Sequence, residues 1–236
     1  MVRSVFRQVG ATALLMALLS IPSAAAANQI DFLRVGHGSA VSISGVRSGS
    51  FMAGELEWQW IGTTPDGFAQ SFYSYCVDVS QNLADPQTVT ARSSDGFTNG
   101  VTDGGGKAAW LFNTYAAGIR ANANASGANI QAAALQIAIW EAMYDTSANL
   151  GVGNFILNTT GAIRTQAQTY LTSLYGGANG SYQTGVATIL EAISPNPGQD
   201  QIVARVSEPS TLLLMGVAFL MLAKRSRKTP DSPAQQ

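Results

Sequence analysis

The sequence has only one cysteine, Cys76, and only one histidine, His37, among its 236 residues. One cysteine cannot build an internal disulfide framework, so Cys76 needs an explanation of its own. A lone cysteine and a distant histidine do not make a metal-ligand set, and we expect neither a metal nor a cofactor. We interpret His37, between Gly36 and Gly38, as a loop residue. Because a Ser-His-Asp triad has little support here, we do not expect an enzyme.

Charged residues are also scarce, at 11% of the chain, and the formal net charge is −1. A nearly neutral chain without a basic face argues against nucleic acid or a strongly acidic molecule as a partner. Glycine, with 24 residues, is abundant, as are alanine, serine, threonine and asparagine. This composition is typical of an extracellular, β-rich protein.

Long hydrophobic runs are missing at the N-terminus. The apolar run at residues 9–21 follows Arg3 and Arg7 and leads into small residues. It is shorter than the roughly 20 residues that span a bilayer comfortably. A charged region, a short apolar region and small residues are what a signal peptidase reads. We therefore expect residues 1–27 to be a helical, cleavable signal peptide, with the mature chain starting near Asn28.

A second short apolar run, residues 211–223, lies near the C-terminus and is followed at once by Lys224, Arg225 and Arg227. Cations after an apolar run are typical of a segment whose basic end stays in the cytoplasm. A helix of this length is marginal for the roughly 30 Å of hydrocarbon in a bilayer, so we expect a transient anchor that is later removed. Residues 229–236 are expected to be a disordered tail.

Between these ends, residues 28–205 are sufficient for one domain with a sizeable core. The clearest strand pattern is the strict alternation of residues 55–61. Alternation predicts a strand with one face packed and the other in solvent, as in an antiparallel sheet or sandwich. We expect Leu56, Trp58 and Trp60 to face inward.

The apolar period changes from two to 3.6 in the middle of the chain, which predicts three helices. The first contains residues 108–119, the second residues 129–145 and the third residues 163–174. Asn129 is a candidate N-cap for the second helix. Because that helix is apolar nearly all round, we expect it to be covered on several sides.

Strand patterns return at residues 186–193 and 201–206. The order of strands, helices and strands favours an α+β fold over an alternating parallel sheet. We therefore expect an antiparallel β-sandwich with an inserted three-helix subdomain, plus a helix at each terminus.

Two short motifs carry groups that could react. Tyr75-Cys76-Val77-Asp78 ends a predicted strand, and Gln136-Ile137-Ala138-Ile139-Trp140-Glu141 lies in the most apolar predicted helix. Burying a glutamine amide without partners costs about 2–7 kcal/mol, which indicates that Gln136 has a specific role. If Cys76 attacks the Gln136 side-chain carbonyl, ammonia leaves and an intramolecular thioester remains. The fold can supply the orientation, since intramolecular partners reach effective molarities on the order of 10⁵ M or more.

Each of these residues also has a simpler interpretation. Free cysteines are among the most buried residues, so Cys76 fits an inert thiol. Gln136 can be an ordinary helix residue whose side chain forms a hydrogen bond with a neighbouring loop. Asp78 and Glu141 either assist proton transfer around the bond or are solvated charges. Three aromatic residues after the glycine run, Trp110, Phe112 and Tyr115, fit helix packing or an aromatic wall near the bond.

Together the two motifs resemble the bacterial thioester domains of surface adhesins, which have a Tyr-Cys-x-Asp-like strand and a Gln-x-Ala-Ile-Trp helix. The resemblance implies that Cys76 and Gln136 form the bond and that Tyr75 and Trp140 shield it from water. It also implies single-use covalent attachment to a surface or matrix target that carries an amine or a hydroxyl.

The C-terminal segment, residues 206–228, is similar to the PEP-CTERM sorting signal of Gram-negative bacteria that make exopolysaccharide. The matching residues are Glu208, Pro209 and Ser210, followed by the apolar run and the basic cluster. The resemblance implies processing by an exosortase-type enzyme and by signal peptidase, after transient inner-membrane association. The destination is then the cell surface or extracellular matrix. A different function remains open, a structural biofilm or exopolysaccharide-binding protein in which Cys76 is free.

Overall fold

The computed structural model describes residues 28–122, 125–176, 181–195 and 197–205. The predicted signal peptide (residues 1–27), sorting segment (206–228) and tail (229–236) lie outside the described residues. Within the described part of the chain, none of the helices combines the length and the hydropathy that a membrane span requires.

The described residues form seven strands and three helices. The strands are β1 (Asn28–Gly45), β2 (Gly49–Ile61), β3 (Ser71–Cys76), β4 (Gln87–Ser93), β5 (Phe155–Leu157), β6 (Thr188–Ala192) and β7 (Gln201–Val203), and the helices are α1 (Gly104–Ala121), α2 (Ala125–Tyr144) and α3 (Ala162–Tyr175). All strand pairs are antiparallel. The predicted α+β class, antiparallel sheet and three central helices are therefore confirmed.

All seven strands belong to one hydrogen-bonded sheet, where the sequence pattern predicted a sandwich. The first residues of β1 pair with both β2 and β4, so six strands close into a ring in the order β1, β2, β3, β7, β6, β4. The seventh strand, β5, pairs with the far end of β1. Shifts in the β1–β2 register after Phe32 and Val35 mark irregularities of the bulge type, which bend a strand and increase its twist. His37 lies at the second irregularity, within β1 and not in the predicted loop.

The interior of the ring is apolar. Leu56, Trp58 and Trp60 are at most 7% exposed and point into it, which confirms the predicted inward face of β2. Side chains from the other strands complete the cluster: Ile30, Phe72, Val89, Leu190 and Val203.

The helix α2 lies at the centre of the second apolar cluster, between the sheet and the other two helices. Residues 132–143 are all buried, as expected for a helix that is apolar on every side. The predicted N-cap is wrong, because α2 begins at Ala125 and Asn129 lies inside the helix. The Asn129 side chain instead accepts a hydrogen bond from the Gly38 N–H (3.3 Å), which ties α2 to β1.

The helix α1 starts against the end of β4. A Cβ at Gly105 would lie 2.3 Å from the Ser94 carbonyl oxygen, so only glycine fits at this contact. Further along α1, Phe112 packs edge-on against Tyr75, and Tyr115 contacts Tyr170 of α3 at 4.2 Å between ring centroids. Of the two open interpretations, these contacts favour helix packing.

Candidate functional site

Cys76 and Gln136 are 60 residues apart in the sequence and in direct contact in the structure. Cys76 ends β3, and Gln136 lies midway along α2. The Gln136 Oε1 accepts a hydrogen bond from the Cys76 N–H (2.9 Å), and its Nε2 donates one to the Cys76 carbonyl (2.7 Å). The amide therefore docks onto the backbone of Cys76 as a neighbouring strand would, and the two predicted motifs meet.

The Cys76 thiol is buried and neutral. Its Sγ donates a hydrogen bond to the Asp78 carbonyl oxygen at 3.1 Å. Burial raises the pKa of the thiol far above its ordinary value, and the indole N–H of Trp140 opposes this rise. The negative charge of Asp78 raises the pKa further. At neutral pH the sulfur therefore carries its proton.

Trp140 lies one helical turn after Gln136 and so on the same face of α2. Its indole N–H is buried and has no conventional hydrogen bond. Trp140 lines the same cavity as Cys76 and Gln136. Trp140 therefore borders the Cys76–Gln136 contact, and its role in shielding a bond from water stays a prediction.

A cavity of about 220 Å³ opens beside this contact. Cys76, Gln136 and Trp140 all line it. The remaining lining is mostly apolar with a few polar groups: Phe32, Val35, Arg47, Phe51, Met52, Gly54, Leu56, Val79, Asn82, Leu83 and Gln199. A small nucleophile in this cavity would be next to both side chains.

Arg47 holds the loop that borders this cavity. Its guanidinium donates hydrogen bonds to the carbonyl oxygens of Val79 (3.3 Å) and Gln81 (2.7 Å) and to Asn82 Oδ1. The same group lies 4.7 Å from the centre of the Phe51 ring. Arg47 thus fastens the chain that follows Cys76 over the β1–β2 hairpin. Sequence reasoning missed it, because an arginine in a hairpin turn gives no sign of a distant loop.

Both oxygens of the Asp78 carboxylate accept hydrogen bonds. Its Oδ1 accepts hydrogen bonds from the Ser80 N–H (2.9 Å), the Ser80 hydroxyl (2.5 Å) and the Tyr144 hydroxyl (2.8 Å). Its Oδ2 accepts a bond from Gln81 Nε2 (2.7 Å). Asp78 is buried, not solvated, and these four bonds give it a role in fixing the loop after Cys76.

Tyr75 lies on the other face of β3 from Cys76, as neighbours along a strand do. Its ring packs against Phe112 of α1, and it lines a separate cavity. This position does not support the predicted role of Tyr75 in shielding the Cys76–Gln136 contact.

Glu141 follows Gln136 by five residues, which places it about 140° away around the helix. It is fully buried, and both carboxyl oxygens lack a hydrogen-bond partner. Burial raises the pKa of Glu141 to about 8; Asp145 raises it further and Arg164 of α3 lowers it. The prediction that Glu141 is a solvated charge is therefore wrong. Because Glu141 lies on a different face of α2 from Gln136, its position does not support a role at the Cys76–Gln136 contact.

No family model, curated protein or solved structure matches this chain. Function therefore has to be judged from the geometry of the site. In the described part of the chain, no three His, Cys, Asp or Glu side chains are grouped so as to hold a metal ion.

Proposed function

We propose that this protein is exported and attaches covalently to a surface or matrix target through a thioester between Cys76 and Gln136. The observation that carries the proposal is the docking of the Gln136 amide onto the backbone of Cys76, beside a buried thiol and an open cavity. The fold thus holds an acyl group and a nucleophile together with little freedom, and such orientation is the main requirement for an intramolecular reaction.

Bond formation requires no external base for its balance. The Cys76 sulfur attacks the Gln136 side-chain carbonyl carbon, and the C–N bond to Nε2 breaks. The thiol proton goes to the departing nitrogen, which leaves as ammonia. The Cys76 N–H lies 2.9 Å from Oε1, so it would stabilise the negative charge that develops on this oxygen.

In the capture of a target, the Cys76 sulfur is the leaving group and the target supplies the nucleophile. An amine or hydroxyl in the cavity attacks the same carbonyl carbon, the C–S bond breaks, and the nucleophile's proton goes to the Cys76 sulfur. The products are an amide or ester on Gln136 and a free thiol. The indole N–H of Trp140, which lowers the pKa of the Cys76 thiol, would also stabilise the departing thiolate.

An intact mass of the purified mature protein tests the proposal. We expect a mass lower than the sequence mass by one ammonia. After treatment with methylamine, the chain should be one methylene heavier than the uncrosslinked sequence, and Cys76 should become open to alkylation.

Two variants serve as controls. Cys76→Ala removes the nucleophile, and Gln136→Glu keeps the side-chain shape but replaces the amide by a poor acyl donor. Neither should lose ammonia or gain methylamine, while both should keep the far-ultraviolet circular dichroism of the fold. A wild-type chain of full sequence mass with a titratable thiol would rule the thioester out.

Arg47→Ala should open the cavity to solvent. The variant loses the three hydrogen bonds that hold the loop at Val79, Gln81 and Asn82. Hydrogen bonds from a charged group contribute about 1.5–3 kcal/mol, so we expect methylamine to react on the order of ten times faster. The rate is measured by mass spectrometry over time.

Arg92→Ala is the matched control for this experiment. Arg92 also lies over an aromatic ring, that of Phe97 at 5.2 Å, and it pairs with Glu191 on the surface. It does not line the Cys76 cavity, so its loss should leave the rate unchanged. Equal rates in the two variants would mean that Arg47 does not control access.

The second candidate function is a structural exopolysaccharide or biofilm-binding protein with a free Cys76. The observation that favours it is that both side chains are satisfied without a bond, through the Asp78 carbonyl and the Cys76 backbone. The raised pKa of the thiol also makes the thiolate scarce. The intact mass separates the two functions.

Export and sorting are part of the same proposal and rest on the sequence alone. We expect signal peptidase to remove residues 1–27 and an exosortase-type enzyme to act near Glu208-Pro209-Ser210. The terminal peptides of the protein from its native host, identified by mass spectrometry, test both steps. An intact chain that retains both ends would contradict them.

A further inference from the structure

The loop between β4 and α1 contains the dipeptide Asn99-Gly100, which lies outside the helices and strands. When glycine follows asparagine, the glycine nitrogen can attack the side-chain carbonyl carbon of the asparagine, because no side chain hinders the approach. The attack is intramolecular, so orientation and local freedom decide its rate. The loop therefore brings together a nucleophile and an acyl group away from the Cys76–Gln136 contact.

Gly100 leaves room for this attack. It is exposed, and a Cβ built at this position would have no atom within 4 Å. Its φ of +102° lies in the region that only glycine enters readily. In the described part of the chain, no acceptor pairs with its N–H. The nitrogen is therefore neither covered nor held by a hydrogen bond.

The side chain of Asn99 ties this loop to the chain that follows Cys76. Asn99 is half-buried, and its Nδ2 donates a hydrogen bond to the Val77 carbonyl oxygen (3.0 Å). Val77 is fully buried, and no other residue that the structure describes donates to this oxygen. A change in the Asn99 amide would therefore leave a buried carbonyl without its partner, which is costly.

A negative charge at position 99 would also lie close to an existing one. Asn99 and Tyr144 line the same cavity, of about 430 Å³. The Tyr144 hydroxyl donates a hydrogen bond to the buried carboxylate of Asp78 (2.8 Å). Two carboxylates on either side of Tyr144 would repel each other, and partial burial strengthens this repulsion.

From these features we propose that Asn99 deamidates spontaneously in the folded protein and that the product loosens the chain after Cys76. The Gly100 nitrogen attacks Asn99 Cγ, the bond from Cγ to Nδ2 breaks, and the proton of the Gly100 N–H leaves with Nδ2 as ammonia. Water then opens the cyclic imide and gives aspartate or isoaspartate. The Val77 carbonyl loses its donor and faces a carboxylate. None of these steps rests on the thioester.

Peptide mapping of the purified mature protein, incubated at pH 6.5 and at pH 9, tests the reaction. The tryptic peptide of residues 93–107 contains Asn99 as its one asparagine. We expect this peptide to become heavier by the difference between a hydroxyl and an amino group. The change should be faster at pH 9, because the attacking nitrogen must lose its proton.

Asn82 is the internal control for the reaction. It is exposed, lies outside the helices and strands, and has a hydrogen-bonded side chain, as Asn99 has. Leu83 follows it, and its side chain hinders the attack, so Asn82 should stay unchanged. The second Asn-Gly pair of the chain, Asn179-Gly180, lies outside the described residues and in a different tryptic peptide.

Two variants separate deamidation from the thioester, since both reactions release one ammonia. Cys76→Ala cannot form the thioester, and its Asn99 should deamidate as fast as in the wild type. Asn99→Gln places the amide one methylene further from the backbone, so this peptide should keep its mass. An Asn99 peptide that changes no faster than the Asn82 peptide would overturn the proposal.

Hydrogen exchange tests the effect on the chain after Cys76. In Asn99→Asp, which is one product of the reaction, we expect the amides of residues 77–82 to exchange about tenfold faster than in the wild type. Asn113→Asp is the matched control, because Asn113 Nδ2 also donates to a backbone carbonyl, that of Val186 (3.0 Å), far from Cys76 in sequence. It should leave this segment unchanged. Equal exchange in Asn99→Asp and the wild type would refute the loosening.

Discussion

Glu141→Gln should make the stability of the protein nearly independent of pH between pH 6 and pH 8. In the wild type, burial raises the pKa of Glu141 from 4.5 to about 8. The folded state therefore keeps a proton that the unfolded state releases above pH 4.5. The resulting contribution to the free energy of unfolding is fully present below pH 4.5 and falls by about 1.4 kcal/mol per pH unit until pH 8.

The two proteins should therefore differ most at alkaline pH. Between pH 4.5 and pH 8 the free energy of unfolding of the glutamine variant should rise, relative to that of the wild type, by on the order of 4 kcal/mol. Asp200, whose pKa burial raises to about 6, contributes mainly at lower pH. Burial also raises the pKa of Glu55, but Glu55 is the same in wild type and variant, so the difference between the two slopes above pH 6 measures Glu141.

Urea unfolding at pH 6, 7 and 8 measures the effect, and Glu141→Met, an unbranched apolar side chain of similar length, is the second variant. Both variants should lose the slope. A wild-type slope that persists in both would show that Glu141 ionises freely in the folded protein.

Gln136→Ala should destabilise the protein far more than Cys76→Ala. Neither variant can form a thioester, so the comparison does not depend on that bond. In Cys76→Ala the Gln136 amide still pairs with the backbone at position 76, and only a small thiol is lost. In Gln136→Ala the buried N–H and carbonyl of Cys76 both lose their partners, and a cavity remains in α2.

We expect Gln136→Ala to lower the free energy of unfolding by about 2–4 kcal/mol more than Cys76→Ala does. Urea unfolding at pH 6.5 measures both. Gln136→Glu is the control, because a buried carboxyl that keeps its proton can still accept the bond from the Cys76 N–H and donate one to the Cys76 carbonyl. It should fall between the two. Equal losses for Gln136→Ala and Cys76→Ala would mean that the amide does not anchor α2 to β3.

Much of the secondary structure could be predicted because local patterns reflect burial. The alternation of residues 55–61 identified β2 and its inward side chains. The apolarity of α2 nearly all round correctly indicated a helix covered on several sides. Periodicity worked in these segments because the side chains repeat in step with the strand or helix that buries them.

Other elements left no comparable pattern. β4 begins with the buried polar residues Gln87 and Thr88, and β5 has only three residues. Neither alternates clearly enough to predict a strand. The N-cap prediction at Asn129 failed because this side chain bonds Gly38 of another element, a partner that local sequence does not reveal.

By itself, the sequence determined the α+β class, the inward face of β2 and the three helices. It also singled out Cys76 and Gln136 as possible partners. The closed ring and the cavities were decided by tertiary structure, as were the loop fastened by Arg47 and the unpaired burial of Glu141. The reason is physical. Periodic burial leaves a pattern in neighbouring residues of the sequence, whereas these features depend on contacts between side chains that are far apart in the sequence.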